Sequence, residues 1–185
     1  DFLHELHPHG ISLYVSPEGE RRLFVINHRS DGHYIEVFKP GKDQLLHVSS
    51  HQSEHFRSPN AVYGVGLQQF YVSNDKHATS KFGRFWEYFF KLKRSRVAYC
   101  DGKDCRFVAK NIAFGNGITG NADNSDIYVV STLGGRLHHF SRDAETGALT
   151  RINRYKVGPG LDNLRPLPDG RLLCVAHPKL FKFIR

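Results

Sequence analysis

Residues 9–28 read HGISLYVSPEGERRLFVINH, and the order of residue types in this stretch decides the fold. A polar residue, His9, opens a short strand. Pro17-Glu18-Gly19 then makes a turn, and the apolar run Leu23-Phe24-Val25-Ile26 ends in Asn27-His28. The same plan returns from Asn60-Ala61-Val62 to Asn74-Asp75. It returns again from Asn116-Gly117-Ile118 to Ser131-Thr132, and from Asn163-Leu164 to Ala176-His177. The opening polar residues stand at positions 9, 60, 116 and 163, a period of roughly 50 residues.

Periods of this length, with several strands in each, mark propeller blades. A ring takes about 4 to 8 blades of four strands around a central channel. The expected fold is therefore all-β: one partial propeller domain over residues 1–185, an incomplete arc of about four blades. Strand propensity marks 11–15, 23–27, 34–38, 45–48, 70–73, 97–100, 107–109, 127–130, 137–140, 152–157 and 172–175. Further turns are expected at Pro40-Gly41-Lys42-Asp43, Glu145-Thr146-Gly147 and Pro168-Asp169-Gly170. Strands do not alternate with helices, which excludes a doubly wound parallel sheet. The widest interval, between 60 and 116, is expected to hold one inserted amphipathic helix at about 80–94.

The composition, 39% hydrophobic and 24% charged, is that of a folded globular chain. With no Met and Asp at position 1, the sequence reads as a segment of a longer chain. The net charge of +8 favours anionic partners, but no nucleic-acid module is recognisable and no nucleic acid is expected. Cys100, Cys105 and Cys174 make a poor disulfide framework. Cys100 and Cys105 flank a turn, so a local bridge and two free thiols are both open, with free thiols expected.

In a propeller the innermost strand of each blade runs along the channel, so equivalent repeat positions converge. Those positions hold His9, Asn60, Asn116 and the pair Asp162-Asn163. Amide and carboxylate oxygens from such positions suit Ca2+, which takes oxygen ligands in flexible geometry, and not zinc, which prefers nitrogen and sulfur. Asn and Asp also serve as plain turn residues. Their recurrence in one register is what favours the ligand reading.

The segments His7-Pro8-His9-Gly10-Ile11-Ser12, Leu23-Phe24-Val25-Ile26-Asn27-His28 and Ser58-Pro59-Asn60 resemble the paraoxonase/arylesterase family. So do Phe70-Tyr71-Val72-Ser73-Asn74-Asp75, Asn116-Gly117-Ile118, Leu161-Asp162-Asn163 and Ala176-His177-Pro178, in the family's order over nearly the whole chain. The resemblance implies a six-bladed β-propeller and a calcium-dependent hydrolase of lactones, aryl esters or phosphotriesters. It implies catalytic calcium on Asn60, Asn116, Asp162 and Asn163. His9 and His28 match a histidine pair that activates water, and His177 and Phe114 fall in the substrate pocket. A second, structural calcium would need an Asp where this chain has Ala61. The carboxylates of the family's first blade would lie upstream of Asp1, and the disulfide between the family's chain ends could not form within these residues.

The absence of a Gly-x-Ser-x-Gly elbow disfavours a serine-hydrolase route. Residues 80–96 read SKFGRFWEYFFKLKRSR, with Phe82, Phe85, Trp86 and Phe89 on one helical face among basic residues. Such a helix suits an interfacial membrane site, and packing onto the propeller is the equal alternative. The family precedent is a secreted or membrane-associated protein, although the chain holds no Asn-x-Ser/Thr acceptor. Competing readings are a gluconolactonase or strictosidine synthase-like propeller, and a non-catalytic or truncated propeller that serves as a binding scaffold.

Overall fold

The computed structural model describes residues 3–76 and 92–177, and these are all-β apart from one short 3-10 turn at Leu3–Glu5. The first sheet holds β1 (Pro8–Val15), β2 (Arg21–Arg29), β3 (Gly32–Pro40) and β4 (Leu45–Gln52). The second holds β5 (Pro59–Gly64), β6 (Phe70–Asn74), β7 (Ser95–Cys100) and β8 (Cys105–Ile112). The third holds β9 (Gly115–Gly120), β10 (Asp126–Ser131), β11 (Arg136–Arg142) and β12 (Leu149–Lys156). β13 (Leu161–Pro166) pairs with β14 (Leu172–Ala176). Every sheet follows chain order with antiparallel neighbours; apart from β6 and β7, which residues 75–94 separate, successive strands within a sheet follow one another after short connections.

Each repeat read from the sequence is thus the first strand pair of one sheet. The first strands, β1, β5, β9 and β13, lie side by side in that order along one edge of the stacked sheets. The sheets pack face to face, and strand alternation feeds two cores at once. Phe70 and Val72 of β6 face the first sheet and meet Phe24, Ile26, Ile35 and Val37. Tyr71 of the same strand faces the third sheet with Ile118, Ile127, Val129 and Phe140. All five residues of β6 are consequently buried. Outward faces differ: Ile11, Leu13 and Val15 on β1, and Leu173 and Val175 on β14, remain exposed among the described residues.

The structure departs from the expectation of free thiols, since Cys100 and Cys105 form a disulfide. They stand directly opposite one another across β7 and β8. The intervening turn is closed by Asp101, whose Oδ1 accepts the N–H groups of Lys103 and Asp104 at 3.0 and 2.9 Å. That cross-strand register, set by the turn, is what the cysteine count could not reveal. Most of the segment expected to be an amphipathic helix, including Phe82, Phe85, Trp86 and Phe89, lies outside the described residues. Its last part, residues 92–94, is not helical and leads into β7 at Ser95.

Phe70 is wholly buried between the first two sheets. Replacing it with Ala is expected to cost about 3–5 kcal/mol of unfolding free energy. Leu46→Ala on the exposed side of β4 should change it by no more than about 0.5 kcal/mol. Urea denaturation of the two variants checks the difference.

Candidate active site at the head of the inner strands

Ladder register breaks at the same point of each inner strand. The irregularity falls between Pro8 and Ile11 on β1, and between Pro59 and Ala61 on β5. On β9 it falls opposite Val129 and Ser131, leaving Asn116-Gly117 between the paired residues Gly115 and Ile118. On β13 it falls between Leu161 and Leu164. The residues set free from regular pairing are therefore His9-Gly10, Asn60, Asn116-Gly117 and Asp162-Asn163. A bulge bends a strand and re-aims its side chains, which is why bulges gather beside active sites.

The inner strands approach closely at these bulges. A Cβ on Gly10 would lie 2.7 Å from the Asn60 carbonyl oxygen. One on Gly117 would lie 2.6 Å from both Asp162 O and Leu164 N. Between β5 and β9 the link is Ser73, whose hydroxyl accepts from Ala61 N at 3.2 Å and donates to Asn116 O at 2.5 Å. All four predicted positions are thus neighbours in one row.

A second row lies behind the first, built from the residues at or just past the second-strand ends: His28, Asp75, Thr132 and His177. His28, Thr132 and His177 each contact a residue of the first. The rings of His28 and His9 meet edge-on with centroids 5.4 Å apart. Asn116 Nδ2 donates to Thr132 Oγ1 at 3.2 Å, and that hydroxyl donates to Leu161 O at 2.6 Å. Because the Thr132 proton is spent on Leu161, Asn116 must present its amino group there. Its carbonyl Oδ1 is then buried without a hydrogen-bond partner among the described residues. His177 Nε2 lies 3.0 Å from Asp162 Oδ2. Asp75 Oδ2 meets Lys76 Nζ at 3.1 Å, while its Oδ1 is buried without a hydrogen-bond partner among the described residues. Lys76 in turn sits over the Phe114 ring at 5.3 Å.

Asn27 and Asn74 anchor the entry to the first two inner strands in the same way. Asn27 Oδ1 accepts His7 N at 2.8 Å, and Asn74 Oδ1 accepts Ser58 N at 3.0 Å. Asn27 is itself held by the fully buried Glu36 at 3.1 Å. Burial works to raise the Glu36 carboxyl, but hydrogen bonds from Ser50, Asn27, Arg29 and His47 outweigh it and hold it below the usual range.

His28 is held neutral. Burial, then His33 and His9, push its imidazole down to about 4, against the opposing pull of Asp75. His33 stands opposite His28 on β3, with the two Nδ1 atoms 2.8 Å apart. One of these nitrogens must donate and the other accept, so the tautomers of His28 and His33 are coupled.

Two buried acceptors without donors, Asn116 Oδ1 and Asp75 Oδ1, are what a hard, oxygen-preferring cation would satisfy. No cluster of three His, Cys, Asp or Glu side chains of metal-holding geometry occurs among the described residues, so a cation site here would combine one or two carboxylates with amide and carbonyl oxygens. Asn163 is exposed and Asn60 only half-buried. The second cation site implied by the resemblance does not fit. Ala61 is packed in the apolar core with Ile118 and Ile127 and offers no carboxylate. Asp75, Thr132 and His33 were not foreseen as site residues. For Asp75 and Thr132 the signal was available, since they share a repeat register with His28 and His177; His33 carried none.

A family model described as Arylesterase matches residues 3–184. Human serum paraoxonase/lactonase 3 is 28% identical over 180 residues, covering 96% of this chain and 51% of its own. The chain thus spans about half the length of the relatives it matches. Among solved structures, a periplasmic gluconolactonase of Pseudomonas aeruginosa aligns with a TM-score of 0.54 at 15% identity, over 89% of this chain and 50% of its own. The Dos1 propeller aligns with a TM-score of 0.53 at 11% identity, over 88% and 40%. At such identities these structures speak for the fold alone, which is propeller-like.

A histidine whose folded pKa lies below its unfolded value binds protons more weakly in the native state. The contribution of His28 to stability is therefore complete above pH 6.5 and lost as pH falls towards 4. In His33→Asn one of the imidazoles disfavouring the His28 cation is gone. The His28 midpoint, followed by NMR, is expected to rise towards its ordinary value, and the acid limb of the stability curve to flatten.

Proposed function

Because the chain belongs to the arylesterase family, we propose that it forms part of a calcium-dependent hydrolase of lactones, aryl esters or phosphotriesters, built as a six-bladed propeller. The observation that carries this reading is the coincidence of a bulge in each of the four inner strands with the residues quoted from the sequence. The exposed apolar faces of β1 and β14 support further sheets stacking on both sides.

Asn60, Asn116, Asp162 and Asn163 would hold the calcium ion. When bound, it supplies Lewis-acid stabilisation of negative charge developing on the substrate oxygen. The remaining chemistry falls to the chain. His9 withdraws a proton from water at an imidazole nitrogen, the general-base role most often given to histidine. His28, neutral and coupled in tautomer to His33, faces the His9 ring and orients it. Thr132 holds the Asn116 amide with its oxygen free. His177 fixes Asp162, and Phe114 provides an apolar wall for the substrate.

The Cys100–Cys105 bridge supports an oxidising compartment, in line with a secreted or membrane-associated protein. Phe82, Phe85, Trp86 and Phe89, set among basic residues, would seat the protein on a lipid surface. Anionic liposomes should then retain the protein but release the Trp86→Ala, Phe89→Ala variant. Equal sedimentation of the two would remove the lipid role.

For the hydrolase reading, His9→Gln is expected to lower turnover of a lactone or aryl ester by about 10²–10⁴. It should leave the calcium-dependent rise in Tm intact. Asn116→Ala should lose that rise together with activity. Full activity in His9→Gln would end its assignment as the base, and a Tm indifferent to calcium in the unsubstituted protein would end the calcium reading.

A further inference from the structure

On the outer part of the third sheet a cavity of about 310 Å3 is lined by Lys93, Asn111, Gly134, Arg136, His138 and Arg154. It shares no residue with the candidate active site. His138 lies at its base, 2% exposed, and its Nδ1 has no hydrogen-bond partner among the described residues. Strand alternation puts Arg136 on the same face of β11 as His138, and the register places Arg154 directly opposite His138 on β12. Arg151 stands beside them, over the Phe140 ring at 5.2 Å, with Nη2 donating to Lys110 O at 2.9 Å.

The cluster is one-sided in charge. Among the described residues none of Lys93, Arg136, Arg151 or Arg154 is ion-paired with a carboxylate. Burial, then Arg151, Arg154, Arg136 and Lys93, push the His138 imidazole down to about 3. The Arg151 guanidinium is lowered as well, by burial and then by Arg154. A buried nitrogen lacking a partner beneath several uncompensated cations is costly for the fold alone. One multivalent oxyanion resolves both deficits: its oxygens accept from Nδ1–H and the guanidinium forks, and its charge offsets the cations.

We propose that this cavity binds a phosphate-class oxyanion, seated on His138 Nδ1 and clamped by Arg136, Arg154 and Lys93. Several cations around a single buried donor match the tetrahedral, multiply charged phosphate group better than a singly charged carboxylate. The cavity, at the small end of ligand-site sizes, admits one such group with a modest substituent and not a polyanion lying flat.

Titration of the full chain with inorganic phosphate at constant ionic strength, read by NMR of the imidazole rings, tests the site. The His138 resonances should shift saturably, and the protonation midpoint should climb from about 3 as phosphate is added. Arg136→Gln and Arg154→Gln, both outside the buried core, should each weaken binding about tenfold. The double change Lys39→Gln, Lys42→Gln removes charge from the first sheet and should alter affinity by less than about twofold. A His138 ring that ignores phosphate, or equal weakening by the Lys39, Lys42 control, overturns the proposal. Phosphatidylcholine vesicles with and without phosphatidic acid separate the sources. Retention on the phosphatidic acid vesicles that Arg154→Gln weakens assigns a lipid headgroup, and phosphate binding with vesicle retention that Arg154→Gln leaves unchanged assigns a free phosphorylated compound.

Discussion

Close approach of the inner strands is the constraint on which the rest of this structure depends. At Gly10 and Gly117 no side chain fits, because the carbonyl oxygens of Asn60 and Asp162 occupy the space a Cβ would need. Where the chain has Ala61 at the corresponding place, Ser73 takes over and bridges β5 to β9 through Ala61 N and Asn116 O. Drawn together in this way, the bulged residues of the different sheets form one row although they are far apart in sequence. A single methyl group on either glycine would force a backbone shift at the candidate site itself.

The second row shows how the fold holds the first. His28, Thr132 and His177 each touch a bulged residue, and Asp75 occupies the matching place in the second repeat. The logic differs from one sheet to the next: an imidazole contact, an amide held by a hydroxyl, an imidazole beside a carboxylate. The effect is common to them. Side chains that regular pairing would point elsewhere are fixed in orientation, and acceptors such as Asn116 Oδ1 are left without donors. Leaving a buried oxygen unsatisfied costs on the order of 1–3 kcal/mol, which makes sense if another group satisfies it.

Basic residues collect at a second place, around His138. There β11–β12 register brings the arginines together, and packing of the second sheet against the third adds Lys93 from the approach to β7. The net charge of +8 is thus not spread evenly as a solvating shell.

Most strands of the outer sheet positions were legible from β-branched and aromatic runs, such as 23–27 in β2 and 97–100 in β7. β5, β9 and β13 were not marked by propensity and emerged only from the repeat. PNAVYG, GNGITG and LDNLRP are rich in residues that disfavour strands, because close approach and ligand-type side chains took precedence over local preference. The sequence by itself determined the all-β class, the repeat and the identity of the residues heading each inner strand, since these follow from local patterning. Tertiary structure alone decided the Cys100–Cys105 bridge, the tautomeric coupling of His28 to His33, the unpaired oxygen of Asn116 and the cation cluster over His138. Each of these rests on cross-strand register or sheet packing, which depends on turns and on the match between two surfaces and not on any one stretch of chain.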